Sequence, residues 1–316
     1  MADTGHLVLG ATPLNTIPPF PVRRFNRFLI LVFLLALTGF ASASKSAEPP
    51  MTGKAFALTL TPGSRLTIAA RINSQPVDAL LDSAAEMTIL DRAFAKQLKL
   101  DQGQSVTGQG SGKSTFDANL VNGVMLEALG LTLRNQTIAV ADLSDVGRRL
   151  LGHKIDVILG RELFDAARLS IDIDAHRISV VPRNREPRGV RLALVTEHGV
   201  ETIPVRVESG DEVRATFDLG NGSGVLIGSA LAARTHLLSD GRKVDVKRGG
   251  GLGGETERQV ITLRSIEIAG QRFDDVPAAI DPQPSASDVN IGVGLLRHFR
   301  ITTDYAKHAV WLESLD

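Results

Sequence analysis

The sequence predicts a mainly β protein folded as two similar lobes, and three observations carry that expectation. Short runs rich in Val, Ile, Leu and Thr alternate with polar residues and stop at Gly, Pro, Asn or Ser, the pattern of half-buried strands joined by tight turns. The order of these parts recurs in the second half of the chain, as a duplication would leave it. In each half an apolar run delivers one carboxylate into a loop of small residues: Asp82 within 77–90 and Asp218 within 213–227, 136 positions apart.

With 316 residues and 43% hydrophobic side chains, the chain can bury the cores of two ordinary domains. Thirty-five Lys and Arg balance 35 Asp and Glu, so no charge excess favours nucleic acid or an anionic membrane surface. The chain has no cysteine, which excludes disulfides, thiolate metal sites and a cysteine nucleophile.

Residues 1–43 read as a signal peptide with a long leader. Arg23, Arg24 and Arg27 form a charged region ahead of the apolar run 28–40, and Ala41-Ser42-Ala43 supplies the small residues that a signal peptidase reads. Cleavage is expected after Ala43, giving an exported, periplasmic or secreted protein whose mature chain starts near Ser44; an uncleaved N-terminal anchor is the alternative. The apolar run is short for a membrane span of about 20 residues. Behind the Arg23-Arg24 pair, Phe25-Asn26-Arg27 is not a clean match to a twin-arginine signal, which favours the ordinary secretory route.

After a short linker, 44–53, the first lobe is assigned to 54–182. Residues 56–60 and 66–72 alternate as strands, with turns at 62–64 and 73–75. A short helix is expected over 91–98, where an acidic residue precedes apolar positions at helical spacing. The charged, proline-bounded stretch 183–189 is assigned as a linker and 190–316 as the second lobe, in which strands at 192–195 and 202–207 lead to Asp218. Each half also closes alike: Ile158-Leu159-Gly160 matches Asn290-Ile291-Gly292, and the match runs on without a gap through Arg168, Asp172 and His176 onto Arg300, Asp304 and His308. The recurring Asp172, Asp304, Arg168 and Arg300 are expected to face solvent or to bond turns.

On these residues the chain resembles the retropepsin-like aspartic proteases, in the bacterial exported form with two lobes in one polypeptide. The resemblance implies two tandem β-barrel lobes forming one pepsin-like bilobal unit. In that family each lobe carries an apolar-apolar-Asp-Thr/Ser-Gly loop and a later apolar-apolar-Gly strand. Leu80-Leu81-Asp82-Ser83-Ala84 with Ile158-Leu159-Gly160 fill these places first, and Phe217-Asp218-Leu219-Gly220 with Asn290-Ile291-Gly292 fill them again. It implies Asp82 and Asp218 as a catalytic dyad, Ser83, Ala84, Leu219 and Gly220 as active-site loop residues, and Gly108, Gly110, Gly250 and Gly251 on flap hairpins. The implied substrate is a polypeptide, cleaved by aspartic-type endopeptidase chemistry, with no cofactor, no metal and no dimer needed to assemble the site. Ala84 stands where the family has Gly, and Leu219 where it has a hydroxyl that helps bridge the two loops. A cleft that binds peptides or other ligands with weak or lost catalysis is the second reading.

Other chemistries fit less well. Gly108 to Ser114 is one residue short of a phosphate-binding loop and lacks a following helical run. His153, His176, His198, His236, His298 and His308 are scattered, with no pair at helical spacing beside a Glu, so zinc is unsupported. Ser83 and Ser223 lack the Gly-x-Ser-x-Gly frame of a serine hydrolase.

Overall fold

The structure, a computed structural model, describes residues 53–284 and 286–315. The expected signal segment, its cleavage site and most of the following linker lie outside the described residues. Among the described residues no helix is long and apolar enough to cross a membrane.

Each half closes into a ring of six strands. In the first, Leu66–Ile72 pairs with Gln75–Leu81, and the order continues through Val157–Leu159, Ile89–Asp91, Leu131–Ala141 and Thr115–Ala128. That last strand returns to the first through Ala70↔Ala128 and Ile72↔Leu126. The second ring takes the same order through Val200–Val207, Glu212–Phe217, Val289–Ile291, Val225–Gly228, Gln271–Asp281 and Thr256–Ile268, closed by Val207↔Ile266. Closure removes free strand edges and turns alternate side chains into a common interior. Leu66, Ile72, Leu81 and Leu126 fill that interior in the first lobe, and Ile203, Phe217, Ile266 and Ile291 in the second. The duplication read from sequence is thus a duplication of strand pairing.

A third sheet joins the halves. Its order is Ala55–Ala57, Arg177–Val180, Leu169–Asp172, Phe299–Asp304, Ala309–Ser314 and Val190–Ala193, so three strands come from each half and the seam is Leu169–Asp172 against Phe299–Asp304. Two runs expected to be single strands split to feed it. In 56–60 the chain leaves this sheet at Leu58 and joins the first ring as Thr59–Leu60; in 192–195 it leaves at Leu194 and joins the second as Val195–Glu197. Both pivots are buried, and their N–H groups donate to the carbonyls of His176 and His308, which occupy matching left-handed turns. The expected helix forms as Arg92–Gln97, capped by the Asp91 carboxylate, which accepts from the N–H groups of Ala93 and Phe94.

The seam corrects one expectation. Arg168, Asp172 and Asp304 do not face solvent; all three are buried. Arg168 Nε donates to Asp304 Oδ2 at 3.0 Å and Arg300 Nε to Asp172 Oδ2 at 3.1 Å, so each half's arginine holds the other half's aspartate. An alternating strand shows which residues share a face but not what covers that face, and here the cover is the other lobe. The turn-bonding part does hold for Asp172, whose Oδ1 accepts from Ala175 N–H. The stretch 183–189 is fastened to the same sheet: Arg183 Nε donates to Asp304, Arg185 O accepts from Arg168, and Glu186 accepts from Trp311 Nε1.

Arg168→Met leaves Asp304 buried with one partner fewer and is expected to cost about 3–5 kcal/mol. Arg300→Met removes a partly exposed arginine and leaves Asp172 its bond from Ala175 N–H and Arg177 at 3.6 Å, so it should cost about 1 kcal/mol or less. Urea unfolding of the two variants checks the ranking.

Candidate functional site

The two aspartates end equivalent strands. Gln75–Leu81 and Glu212–Phe217 each run parallel to the short strand behind them, Val157–Leu159 and Val289–Ile291. The first residue past each strand is held by the same bond: Asp82 N–H donates to Leu159 O and Asp218 N–H to Ile291 O, both at 3.0 Å. Gly160 and Gly292 come directly after these acceptors, packed so close to Met87 and Asn221 backbone that a Cβ would clash. Glu162 secures the first loop's exit by accepting from Thr88 N–H and Oγ1 at 2.9 Å.

One side chain ties the loops together across the lobe boundary. The Ser83 hydroxyl donates to Phe217 O and accepts from Leu219 N–H, both at 2.8 Å, and is buried. The mirror-image bridge is missing because Leu219 has no hydroxyl; its side chain lies fully buried in the hydrophobic core. Tyr305, buried from the seam side and stacked on Phe164, donates its hydroxyl to Ser83 O at 3.2 Å. Ala84 does not take up a positive φ, so its methyl group brings no backbone strain. Gly220 is needed for space: a Cβ there would strike the Asp82 carboxyl group.

That contact brings the Asp82 carboxyl against the second aspartate's loop. Both carboxyls are raised above the ordinary carboxylate range, first by desolvation, and Asp82 further by the Asp218 charge, to about 7. Their surroundings differ. Asp82 Oδ1 accepts from Ala84 N–H at 2.9 Å, with Ala85 N–H contributing. Asp218 Oδ1 accepts from Gly220 and Asn221 N–H at 2.9 Å, and its Oδ2 accepts from Asn290 Nδ2 at 2.7 Å. A chain of donors orients that amide. Ser223 N–H and Oγ donate to Asn221 Oδ1, and Asn221 Nδ2 donates to Asn290 Oδ1, which leaves the Asn290 NH2 facing Asp218.

Gly108, Gly110, Gly250 and Gly251 lie at the ends of two hairpins, Gln104–Gln109 with Thr115–Ala128 and Asp245–Gly249 with Thr256–Ile268. The tips bond each other: Gly112 N–H donates to Leu252 O at 2.8 Å and Ser114 N–H to Gly253 O at 3.0 Å. Arg149 donates to the carbonyls of Gly250 and Gly251, and Arg258 to Ser111 O, all at 3.0 Å. Leu252 packs with Leu80, Ala85 and Ile158, which places the second tip over the apolar surroundings of the first aspartate's loop.

Sequence reasoning misses three residues of the site. Asn290 stands in its motif with no sign of a role except that the first half has apolar Ile158 in its place. Tyr305 carries no local signal, and neither does Arg65, whose guanidinium lies against Gly222 and whose charge acts on both aspartates; only closure of the lobes brings the two to the site. Among the described residues no group of His, Asp and Glu could hold a metal ion.

Two β rings, each presenting one aspartate at a lobe boundary beneath joined hairpins, define the architecture of an aspartic-protease-type protein. The comparison of families agrees: the family described as aspartyl protease matches twice, at residues 68–163 and 203–295, together more than half of the chain. The chain belongs to that retropepsin-like family, with two tandem lobes. No curated protein matches it.

Ser83→Ala strips Phe217 O and Leu219 N–H of their shared partner. It is expected to cost about 2–4 kcal/mol, the penalty for two buried backbone groups left unpaired, read as a lower unfolding midpoint in urea.

Proposed function

We propose that this chain is an aspartic endopeptidase that hydrolyses peptide bonds with water activated between Asp82 and Asp218. The observation that carries this reading is the joining of the two aspartate loops by Ser83, which puts two desolvated carboxyls at one place. Such a pair holds one proton up to about pH 7, because ionising both in a poorly solvated site is costly. Three donors on Asp218, among them the Asn290 amide, favour its ionised form. Asp218 then takes the proton of the attacking water. Asp82 donates to the developing oxyanion, and the roles reverse as the amine leaves. The joined hairpin tips part to admit an extended chain and close again over it, excluding water from the reaction.

Asp82→Asn and Asp218→Asn are each expected to lower cleavage of an unstructured polypeptide by about a hundredfold or more. Unchanged activity in either variant would sink the pair. Retained peptide binding without cleavage in the wild type would favour the ligand-binding reading instead.

The pH dependence has a definite sign. The reactive form carries one proton, so activity is expected to fall as pH rises through about 7, where Asp82 loses it. Asn290 lowers the Asp218 value by donating to the ionised form, so Asn290→Ile raises it. The acidic limb of the rate profile then moves to higher pH. Stability tracks the same titration: a carboxyl raised on folding stabilises below its unfolded value of 3.8, and that contribution is lost as pH rises through about 7. Melting temperatures across this window should fall less in Asp82→Asn than in the wild type.

We also propose that the protein acts outside the cytoplasm, on the strength of the charged and apolar regions before Ala43. N-terminal sequencing of the protein recovered from its native host is expected to begin near Ser44.

A further inference from the structure

The strand-pairing repeat exposes a charge asymmetry that the dyad does not use. Thr67 and Thr202 are equivalent, so Arg65, two residues before the first, corresponds to Val200. Glu86, four residues after Asp82, corresponds to Gly222, four after Asp218. The first half therefore carries a cation and an anion where the second carries neither. Both charges reach across the lobe boundary onto the second half's small residues. The Arg65 guanidinium lies against Gly222, where a Cβ would collide with Nη1, and the Glu86 carboxylate lies against Gly199 in the same manner. The repeat carries the Arg65–Gly222 contact onto Glu86 and Val200, the residue next to Gly199, so Arg65 and Glu86 stand on opposite sides of the aspartates.

Arg65 is the more informative of the two. It is partly buried, and Nη1 donates to Gly63 O of its own turn at 2.9 Å. Among the described residues no carboxylate comes within ion-pair distance of it; the nearby acidic charges that act on it are those of Asp218 and Asp82. Desolvation lowers its pKa, as expected of a guanidinium that has given up water without gaining an acidic partner. Five N–H donors in a fixed fork, with one committed to Gly63, leave the rest for a planar anion.

We infer that Arg65 is a specificity-determining residue that receives a substrate carboxylate, an acidic side chain of the bound peptide on the side of the aspartates where Gly222 lies, while Glu86 disfavours acidic residues on the opposite side. The inference rests on the endopeptidase reading and gives it a substrate class: polypeptides with an acidic residue on one side of the scissile bond.

The test uses matched peptides that differ by Glu or Gln at one position, scanned through the three residues on either side of the cleaved bond. At one position the wild type is expected to favour Glu by about tenfold or more in kcat/KM, the range of a charge-assisted hydrogen bond, with the difference in KM. Arg65→Met should abolish that preference while still cleaving the Gln peptide, Arg65→Lys should keep part of it, and 0.5 M salt should weaken it. Glu86→Gln should ease rejection of Glu on the opposite side. A wild type without preference at any position overturns the inference. So does a preference that survives Arg65→Met, or an Arg65→Met variant that slows both peptides equally and only moves the pH profile, since Arg65 would then act on the aspartates alone. If the wild type cleaves neither peptide, the endopeptidase reading fails by itself. Anisotropy titration of the same labelled peptides then decides about Arg65: tighter binding of the Glu peptide, lost in Arg65→Met, supports it, and equal binding overturns it.

Discussion

A single hydroxyl group bridges the two aspartate loops. Ser83 donates to one backbone group of the second loop and accepts from another, so its one rotor fixes the separation and the relative register of Asp82 and Asp218. A dyad depends on that register more than on any property of one carboxyl, because the sharing of a proton falls away steeply with distance. The interface supports the bridge from beneath. Tyr305 holds the Ser83 carbonyl, and Arg161, above the Tyr305 ring, donates to the buried Glu201 of the other half. With Leu219 contributing apolar packing where a second hydroxyl would have stood, this support carries what the mirror bridge would have shared.

The shared sheet gives that bridge a rigid base. Two separate rings could rock about a linker, whereas here three strands from each half form one sheet, and at its seam Arg168 and Arg300 hold the opposing Asp304 and Asp172. A buried ion pair adds little net stability, since desolvation offsets most of its attraction. Its use here is positional: sliding the seam by one residue would leave two buried charges unpaired. The third sheet therefore resists the displacement to which a dyad is most sensitive.

Much of this is legible in the sequence, and the limits have physical causes. The aspartate loops, the closing glycines and the hairpins can be read because alternation and turn residues are local signals, and because a duplication presents each signal twice. The sheet that joins the halves cannot, since three of its five pairings join residues more than a hundred positions apart. For the same reason Arg168 and Asp304 look like the outward face of an alternating strand. Leu58 and Leu194 are hidden inside apparently continuous strands, as a change of sheet leaves the alternation intact. Arg65 and Tyr305 belong to the site only because the lobes close on them.

Four departures from symmetry fall near the aspartates. Leu219 replaces a partner for Ser83, Asn290 replaces an apolar residue equivalent to Ile158, and Arg65 and Glu86 face Gly222 and Gly199. A site assembled from two identical chains must present each of these twice or not at all, since any substitution appears on both sides. Joining the halves in one polypeptide lifts that constraint. One aspartate can then gain an amide donor that the other lacks, which in the proposed mechanism separates base from acid before substrate arrives. One side of the cleft can carry a cation and the other an anion, which under the proposed specificity gives a bound peptide a preferred direction. The backbone of the rings has stayed duplicated because it sets where the carboxyls stand. Where the side chains around them differ between the halves, each carboxyl gains surroundings of its own.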